Sequence, residues 1–245
     1  MSEPLLDVKR VTKRFGGFTA LDEVSVAIRP GERFGLVGPN GSGKTTLINC
    51  ISGVLGLDKG TISFLGTDIS ALPTYMRTRR GIARSFQIPR PFRTMTVIEN
   101  LMVALEFTAG HGHRETERQQ EAIALIEQMG LGAKASRPSS ELSQVELRKM
   151  ELARAMAARP KLLISDEAMA GLSSAEIDEV LDLLIKLNQD GIAIIMIEHI
   201  MQAVMRFSER VMCLDAGRII AAGTPAEVMA DQRVQEAYLG ASPQG

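Results

Sequence analysis

The sequence has few of the features that mark secreted or membrane-spanning proteins. It contains only two cysteines, Cys50 and Cys213, and both lie in apolar segments, so we interpret them as buried residues in a reducing compartment. Acidic residues and a proline interrupt the first ten positions, where a secretory signal would need an apolar run. The longest apolar runs, such as residues 192–197, have strand length and are too short to cross a bilayer. We therefore expect a cytoplasmic protein that reaches a membrane only through a partner.

The chain also lacks an excess of either charge. Lys and Arg number 28 against 29 Asp and Glu, a formal net charge of −1, whereas nucleic-acid-binding domains are usually strongly basic. We therefore expect no nucleic-acid partner. With 45% hydrophobic and 23% charged residues, the 245-residue chain has the composition of a globular protein with one large core or two closely packed subdomains.

Residues 38–45 carry the most informative pattern in the chain, GPNGSGKT. A short apolar segment that reads as a strand precedes this loop, and a helical pattern of apolar residues follows it. In such a unit, backbone N–H groups and the helix N-terminus surround phosphate oxygens. Lys44 is expected to reach the β- and γ-phosphates, and Thr45 to ligate Mg²⁺. The pattern predicts a nucleoside triphosphate site, against the alternative of a plain glycine-rich turn.

Two acids, Asp166 and Glu167, follow the buried apolar segment at residues 162–165. Ligands of open α/β sheets lie beyond the carboxyl ends of the strands, so both carboxylates are expected to face the phosphates. We expect Asp166 to hold Mg²⁺ and Glu167 to orient and polarise the attacking water. The alternative, an acidic helix cap, explains one acid better than the pair.

Three further residues are candidates for the same site. His199 follows the next predicted strand and can hydrogen-bond the γ-phosphate, although a single His at a strand end is otherwise unremarkable. Gln87 follows a predicted strand at residues 81–86 and is placed to touch Mg²⁺ and the attacking water. Phe15 either stacks on adenine, which needs only a flat apolar face, or belongs to the core.

The periodicity of the chain indicates an α/β protein. The first third reads as short strands with glycine and proline turns, and its predicted strands are residues 5–11, 20–28, 33–37 and 60–65. Residues 88–159 read as mostly helical, with Thr96 as a helix cap and Gly130 as a helix stop. From residue 161 onward strands and helices alternate, which predicts a parallel sheet covered on both faces.

Taken in order, these motifs resemble those of the ATP-binding cassette (ABC) ATPases over essentially the whole chain: Phe15, residues 38–45, Gln87, Leu142-Ser143, Asp166-Glu167 and His199. The resemblance implies a P-loop NTPase core with an antiparallel β-subdomain, formed by residues 1–87 and 160–245. It also implies an inserted α-helical subdomain, residues 88–159, that carries the signature segment. Members of the family work as head-to-tail dimers with two ATP molecules at the interface.

The family pattern implies ATP and Mg²⁺ as cofactors, with Glu167, His199 and Gln87 as catalytic residues and with Thr45, Gln87 and Asp166 at the metal. The nucleotide-binding residues that it implies are Phe15, Gly38, Pro39, Asn40, Gly41, Ser42, Gly43, Lys44, Thr45, Thr46 and Ser143.

Four segments give a finer resemblance, to the ATPases of bacterial branched-chain (hydrophobic) amino-acid uptake transporters. They read ARSFQ at residues 83–87, DEAMAGLS at 166–173, IEHIM at 197–201 and AYLG at 237–240. This resemblance implies the ATP-hydrolysing subunit of an importer of branched-chain amino acids or related small organic solutes. Its partners would be membrane permease subunits, a second ATPase subunit (identical or different) and, indirectly, a periplasmic or extracellular solute-binding protein. The chain would then lie peripherally on the cytoplasmic face of the inner (plasma) membrane. The alternatives are an exporter ATPase and a soluble ABC ATPase that acts on ribosomes or DNA.

The signature segment departs from the family pattern. The family reads Leu-Ser-Gly-Gly-Gln, whereas this chain reads LSQVE at residues 142–146. Ser143 can still donate its hydroxyl to a partner's γ-phosphate. Glycine allows close approach of the backbone to phosphate, so we expect the stiff Val145 and the negative charge of Glu146 to weaken the site that this chain lends to its partner.

Overall fold

The structure is a computed structural model that describes residues 3–85, 89–108 and 114–239. Its strands are β1 (Leu6–Phe15), β2 (Phe18–Ile28), β3 (Arg33–Val37), β4 (Lys59–Phe64), β5 (Thr67–Asp68), β6 (Ile82–Ser85), β7 (Leu162–Asp166), β8 (Ala193–Ile197), β9 (Arg210–Asp215) and β10 (Arg218–Gly223). Its α-helices are α1 (Lys44–Ser52), α2 (Thr74–Arg79), α3 (Val97–Thr108), α4 (Glu115–Gln128), α5 (Gln144–Met156), α6 (Ser174–Gln189), α7 (Met201–Phe207), α8 (Pro225–Ala230) and α9 (Gln232–Leu239). Short 3₁₀ turns occupy Gly132–Lys134 and Ser139–Glu141.

A six-stranded sheet in the order β10-β9-β3-β8-β7-β6 forms the centre of the molecule. All its neighbouring strands are parallel except the β9–β10 pair. Alternate side chains of β8 enter two different clusters: Ile194 and Met196 pack with the helices α3–α6, whereas Ile195 and Ile197 pack with α1 and the second sheet. Burial on both faces explains why this strand reads as an uninterrupted apolar run, and it confirms the predicted α/β class.

The second sheet is antiparallel, in the order β2-β1-β4-β5, as the family resemblance implied. Strand β1 continues to Phe15, beyond its predicted end at Val11. Its pairing with β2 shifts register between Val8 and Val11 and twice more before Phe15, and Arg10 has a φ of 45°. These irregularities break the two-residue alternation on which a prediction from sequence depends.

The helices α3, α4 and α5, within residues 97–156, pack together and share one buried cluster with the central sheet. Thr96 caps α3 as predicted, since the Glu99 N–H lies 3.3 Å from the Thr96 hydroxyl oxygen and the Glu99 carboxylate accepts the Thr96 N–H at 2.7 Å. Gly130, with a φ of 71°, follows the end of α4. The predicted domain boundary near residue 160 would lie between α5 and β7, and the predicted boundary at residue 87 lies outside the described residues. Both boundaries stay predictions.

The short helices α2, α7 and α8 were not predicted from the sequence. Six or seven residues make fewer than two full turns and give little periodic signal. Among the described residues, the structure contains no helix with the length and apolar character needed to span a bilayer.

Helix α2 is held in place by a buried arginine. Arg77 is 1% exposed, and its guanidinium donates to the carbonyl oxygens of Cys50 (2.6 Å), Ile51 (2.8 Å), Ser70 (2.9 Å) and Leu72 (2.8 Å). Two of these carbonyls belong to the last turn of α1, where helix carbonyls lack intrahelical partners. Burial lowers the pKa of Arg77. The guanidinium therefore joins α2 to the C-terminal end of the helix that follows the phosphate loop.

We expect Arg77→Met to lower the free energy of unfolding by about 3 kcal/mol, because buried carbonyls would lose their donor. Urea unfolding measures the change. Arg79→Met is the matched control, since Arg79 is exposed on the same helix. Equal stability of the two variants would contradict the structural role assigned to Arg77.

Candidate nucleotide-binding and catalytic site

The loop at residues 38–43 connects β3 to α1 and depends on glycine at two points of close approach. Gly38 has a φ of 146°, and a Cβ atom there would lie 2.1 Å from the carbonyl oxygen of Leu214. Gly43 has a φ of 106°, and a Cβ atom there would lie 2.7 Å from the carbonyl oxygen of Ala20. The loop is thus pressed against β9 on one side and β2 on the other, and only glycine fits at these contacts.

The charged and polar groups of this loop suit a phosphate ligand. Lys44 is 5% exposed, and its ammonium donates to the carbonyl oxygens of Gly38 at 2.7 Å and Pro39 at 2.9 Å. Burial lowers the pKa of Lys44, while Glu167 and Asp166 counteract that effect. Within the described part of the chain, the buried Ser42 hydroxyl has no hydrogen-bond partner. A buried cation, an unsatisfied hydroxyl and a helix N-terminus meet here, the combination that binds phosphate.

A cleft brings most of the predicted residues together. It is lined by Phe15, Phe18, Ala20, Asn40, Gly41, Ser42, Gly43, Lys44, Thr45, Thr46, Glu167 and His199. The Phe15 side chain is 47% exposed at this cleft, so the alternative that it belongs to the core is wrong. Phe18 was missed by the sequence analysis. It pairs with Phe15 across the Gly16-Gly17 turn, and two aromatic residues flanking a pair of glycines are the signal that would have revealed it.

Glu167 and His199 face each other in this cleft. The His199 Nε2 atom lies 3.0 Å from Glu167 Oε1. Glu167 has a φ of 46°, a left-handed conformation that is strained for a residue with a side chain, and its N–H donates to the Ile197 carbonyl oxygen at 2.9 Å. The turn after β7 thus directs the carboxylate toward the phosphate loop rather than along the strand.

Asp166 lies at the end of β7 with an unpredicted partner. The Arg84 guanidinium donates to Asp166 Oδ2 at 2.5 Å and to the Asn49 side-chain oxygen at 2.7 Å. Arg84 is on β6 and Asn49 is on α1, so one guanidinium joins three elements around the carboxylate. An arginine within the strand predicted at residues 81–86 was the available signal. Gln87, which follows this strand, lies outside the described residues.

The structure places Ser143 away from this cleft, at the N-cap of α5. The Glu146 carboxylate accepts the Ser143 N–H at 2.9 Å in a capping box and lies 3.2 Å from the Lys134 ammonium, so its negative charge has a partner within the chain. Val145 was expected to obstruct close approach, but it is 9% exposed and packs in the core, because it lies on the inward face of the helix. The effect of this segment on a site that the chain lends to a partner stays a prediction.

Glu198 is a buried acid behind the site that the sequence analysis did not single out. It is 2% exposed, and its Oε1 atom accepts the Met169 N–H at 2.9 Å. Burial raises the pKa of Glu198 to about 7; the Met169 hydrogen bond lowers it, and the nearby Glu167 raises it further. Glu198 therefore holds the segment that follows Glu167, and its protonation changes near neutral pH.

The fold and the glycine loop define a P-loop nucleotide-binding protein. Residues 21–170 match the model of the ABC transporter family, and residues 218–243 match that of the branched-chain amino acid ATP-binding cassette transporter. The chain belongs to the ABC transporter family. It superimposes on the crystal structure of the ADP conformation of MJ1267, an ATP-binding cassette of an ABC transporter, with a TM-score of 0.91 and 32% identity, covering 98% of this chain and 100% of the other.

Two relatives belong to different kinds of transport system. The chain is 38% identical to the high-affinity branched-chain amino acid transport ATP-binding protein LivG of Salmonella typhimurium, over 98% of this chain and 99% of the relative. It is 34% identical to the lipopolysaccharide export system ATP-binding protein LptB of Haemophilus influenzae, over 96% of this chain and 97% of the relative.

We expect the titration of Glu198 to make stability depend on pH. Its pKa in the folded protein, about 7, lies above the ordinary value of 4.5, so the stability that comes from the protonated carboxyl is fully present below pH 4.5 and is lost as pH rises through 7. Between about pH 5.5 and 8 the loss should be about 2 kcal/mol. The Glu198→Gln variant keeps an acceptor for Met169 but cannot ionise, so its unfolding free energy should fall less over this range. Parallel curves for the two proteins, from urea unfolding, would refute this assignment.

Proposed function

We propose that this chain, an ATPase of the ABC family, binds ATP with Mg²⁺ in the cleft and powers the uptake of branched-chain amino acids or related small solutes. The observation that carries the proposal is the meeting of the phosphate loop, Glu167 and His199 in one cleft. The solute class rests on the named function of LivG and on the match of residues 218–243 to the branched-chain transporter model.

The proposed binding mode follows the chemistry of the lining residues. The loop N–H groups, the Lys44 ammonium and the Ser42 and Thr46 hydroxyls would hold the phosphates, and the exposed Phe15 ring would stack on adenine. Thr45 and Asp166 supply oxygen donors, which suit Mg²⁺, and Gln87 is the third proposed ligand. Magnesium would neutralise negative charge on the β- and γ-phosphates.

For hydrolysis, we assign the role of general base to Glu167. Its carboxylate would accept a hydrogen bond from the attacking water and polarise it. His199 lies 3.0 Å from that carboxylate and reaches into the same cleft, where its ring would contact the γ-phosphate. The hydrogen bond to His199 and the left-handed turn at Glu167 together fix the direction of the base before the substrate arrives.

We further propose that the chain works at the cytoplasmic face of the inner (plasma) membrane. Its partners would be permease subunits, a second ATPase subunit and, indirectly, a solute-binding protein outside the membrane. Ser143 would serve the ATP of the second subunit. Export is the second candidate, because LptB has 34% identity to this chain. The match of residues 218–243 to the branched-chain model favours uptake, and the near-neutral charge argues against a nucleic-acid partner.

A groove between the central sheet and the helices α3 and α5 is the proposed site of permease docking. Arg84, Ala104 and Arg154 are among its lining residues. At its edge the Phe92 side chain is 44% exposed, with the Arg154 guanidinium 5.7 Å from its ring centroid. Asn100 fixes the Phe92 backbone, accepting its N–H at 2.9 Å and donating to its carbonyl oxygen at 3.2 Å. An exposed aromatic ring on a rigid backbone is a typical anchor for a partner.

We expect Lys44→Ala to abolish ATP binding and Glu167→Gln to preserve it while slowing turnover by at least ~10²-fold, the usual effect of losing a positioned base. Calorimetry measures affinity, and phosphate release measures turnover. Lys186→Ala and Glu115→Gln, which alter exposed residues on α6 and α4, are the controls. Wild-type binding by Lys44→Ala, or near-normal turnover by Glu167→Gln, would disprove the assignments.

We expect Phe92→Asp to reduce recovery of the chain with its membrane partners by ~10-fold or more, because the substitution places a charge in an apolar contact. Affinity for ATP should not change. Ile123→Asp is the control, since Ile123 is 39% exposed on α4 and does not line the groove. Equal recovery of both variants with the membrane fraction would exclude this docking surface.

A further inference from the structure

A side chain of the C-terminal helix α9 forms a hydrogen bond with the phosphate loop. The Gly38 N–H donates a 2.8 Å hydrogen bond to the hydroxyl oxygen of Tyr238, a residue 200 positions further along the chain. The Tyr238 ring packs against a buried cluster that contains Val37, the last residue of β3, and Val234 of α9. Both the ring and the hydroxyl therefore meet the chain at the point where β3 ends and the loop begins.

The peptide groups on both sides of Gly38 are held by side chains. Tyr238 holds the preceding peptide through its N–H, and Lys44 holds the following peptide by donating to the Gly38 carbonyl oxygen at 2.7 Å. Between these two contacts, Gly38 is pressed against the Leu214 carbonyl oxygen in a conformation that requires glycine. A continuous series of contacts thus runs from α9 through Gly38 to the ammonium group in the centre of the loop.

We propose that Tyr238 is a positioning residue of the nucleotide site, whose hydroxyl sets the orientation of the first loop peptide and, through it, the Lys44 anchor. The inference rests on the proposed function of the loop in ATP binding. It gives a role to the AYLG segment at residues 237–240, which lies within the part of the chain that matches the branched-chain transporter model. Burial raises the pKa of the Tyr238 hydroxyl, so the group stays neutral at physiological pH.

A packing role and a positioning role can be separated, because packing needs the ring whereas positioning needs the hydroxyl. Tyr238→Phe keeps the ring and removes the oxygen. The chain contains two tyrosines, so Tyr75→Phe, at an exposed position on α2, makes the same chemical change away from the loop. We expect Tyr238→Phe to weaken ATP binding about three- to ten-fold, the effect of losing one hydrogen bond. Tyr75→Phe should bind as the wild type does.

Affinity is measured by calorimetry on the full chain at a temperature at which thermal unfolding shows every variant to be folded. A small loss of global stability then leaves the fraction of binding-competent protein unchanged, so a lower affinity reports on the loop itself. The chain has no tryptophan, so Tyr238 is the sole source of tyrosine emission in the Tyr75→Phe variant. The tyrosine emission should change when ATP binds, because the Tyr238 hydroxyl accepts a hydrogen bond from Gly38 in the phosphate loop.

The outcomes distinguish this inference from the proposed function. If Tyr238→Phe binds ATP as tightly as the wild type while Lys44→Ala does not bind, the positioning role is excluded and the ATP site stands. If Tyr238→Phe loses thermal stability but keeps its affinity, the hydroxyl stabilises the fold without acting on the nucleotide site, and the positioning role is excluded. If the wild type itself does not bind ATP, the proposed function fails. Weaker binding in Tyr238→Phe with normal binding in Tyr75→Phe supports the inference.

Discussion

The close approach of Gly38 to the Leu214 carbonyl oxygen is the constraint on which the rest of the site depends. Leu214 belongs to β9, a neighbour of β3 in the central sheet, so the loop takes its position directly from the sheet. The other end of the loop is held by the second sheet and by the β9–β10 turn, since Gly43 abuts Ala20 and the Ser42 carbonyl oxygen accepts the Gly217 N–H at 2.9 Å. Neither sheet alone would fix the loop, which explains why the cleft lies where the two sheets meet.

The electrostatics of the site follow from this position. The loop encloses the Lys44 ammonium at the end of the sheet where Asp166 and Glu167 also emerge, so burial and the two acids act on its pKa in opposite directions. Arg84 adds a second cation and contacts Asp166 directly. Asp166 therefore has a cation beside it within the protein itself, and in the proposed site a Mg²⁺ ion would share the carboxylate with this guanidinium. Because Arg84 also lines the proposed docking groove, one side chain touches both the groove and the proposed metal ligand.

The parts of the fold and site that could be predicted from sequence are those carried by local patterns. The glycine loop, the buried strands β7 and β8 and the two acids at the end of β7 each lie within a few consecutive residues, and the structure has them where the patterns indicated. The contacts that hold these parts together could not be predicted. The Arg77 guanidinium meets carbonyls 26 and 27 positions away, Arg84 meets Asp166 across 82 positions and Tyr238 meets Gly38 across 200. Each joins a side chain to a distant group, for which the sequence has no periodic signal.

In the folded chain, the side chains of the unusual signature segment at residues 142–146 do not all lie where the sequence alone would place them. From sequence, three side chains in place of glycines and glutamine are expected to crowd a phosphate-binding edge. In the structure Val145 is buried in the core, and the partly exposed Glu146 carboxylate folds back on the Ser143 N–H and beside Lys134. Gln144 is uncharged and exposed. Ser143 keeps an exposed position at the start of a 13-residue helix, so a hydroxyl and a helix N-terminus are still presented together. The Glu146 charge is therefore paired within the chain with Lys134, while the effect of the segment on a partner's phosphate stays a prediction.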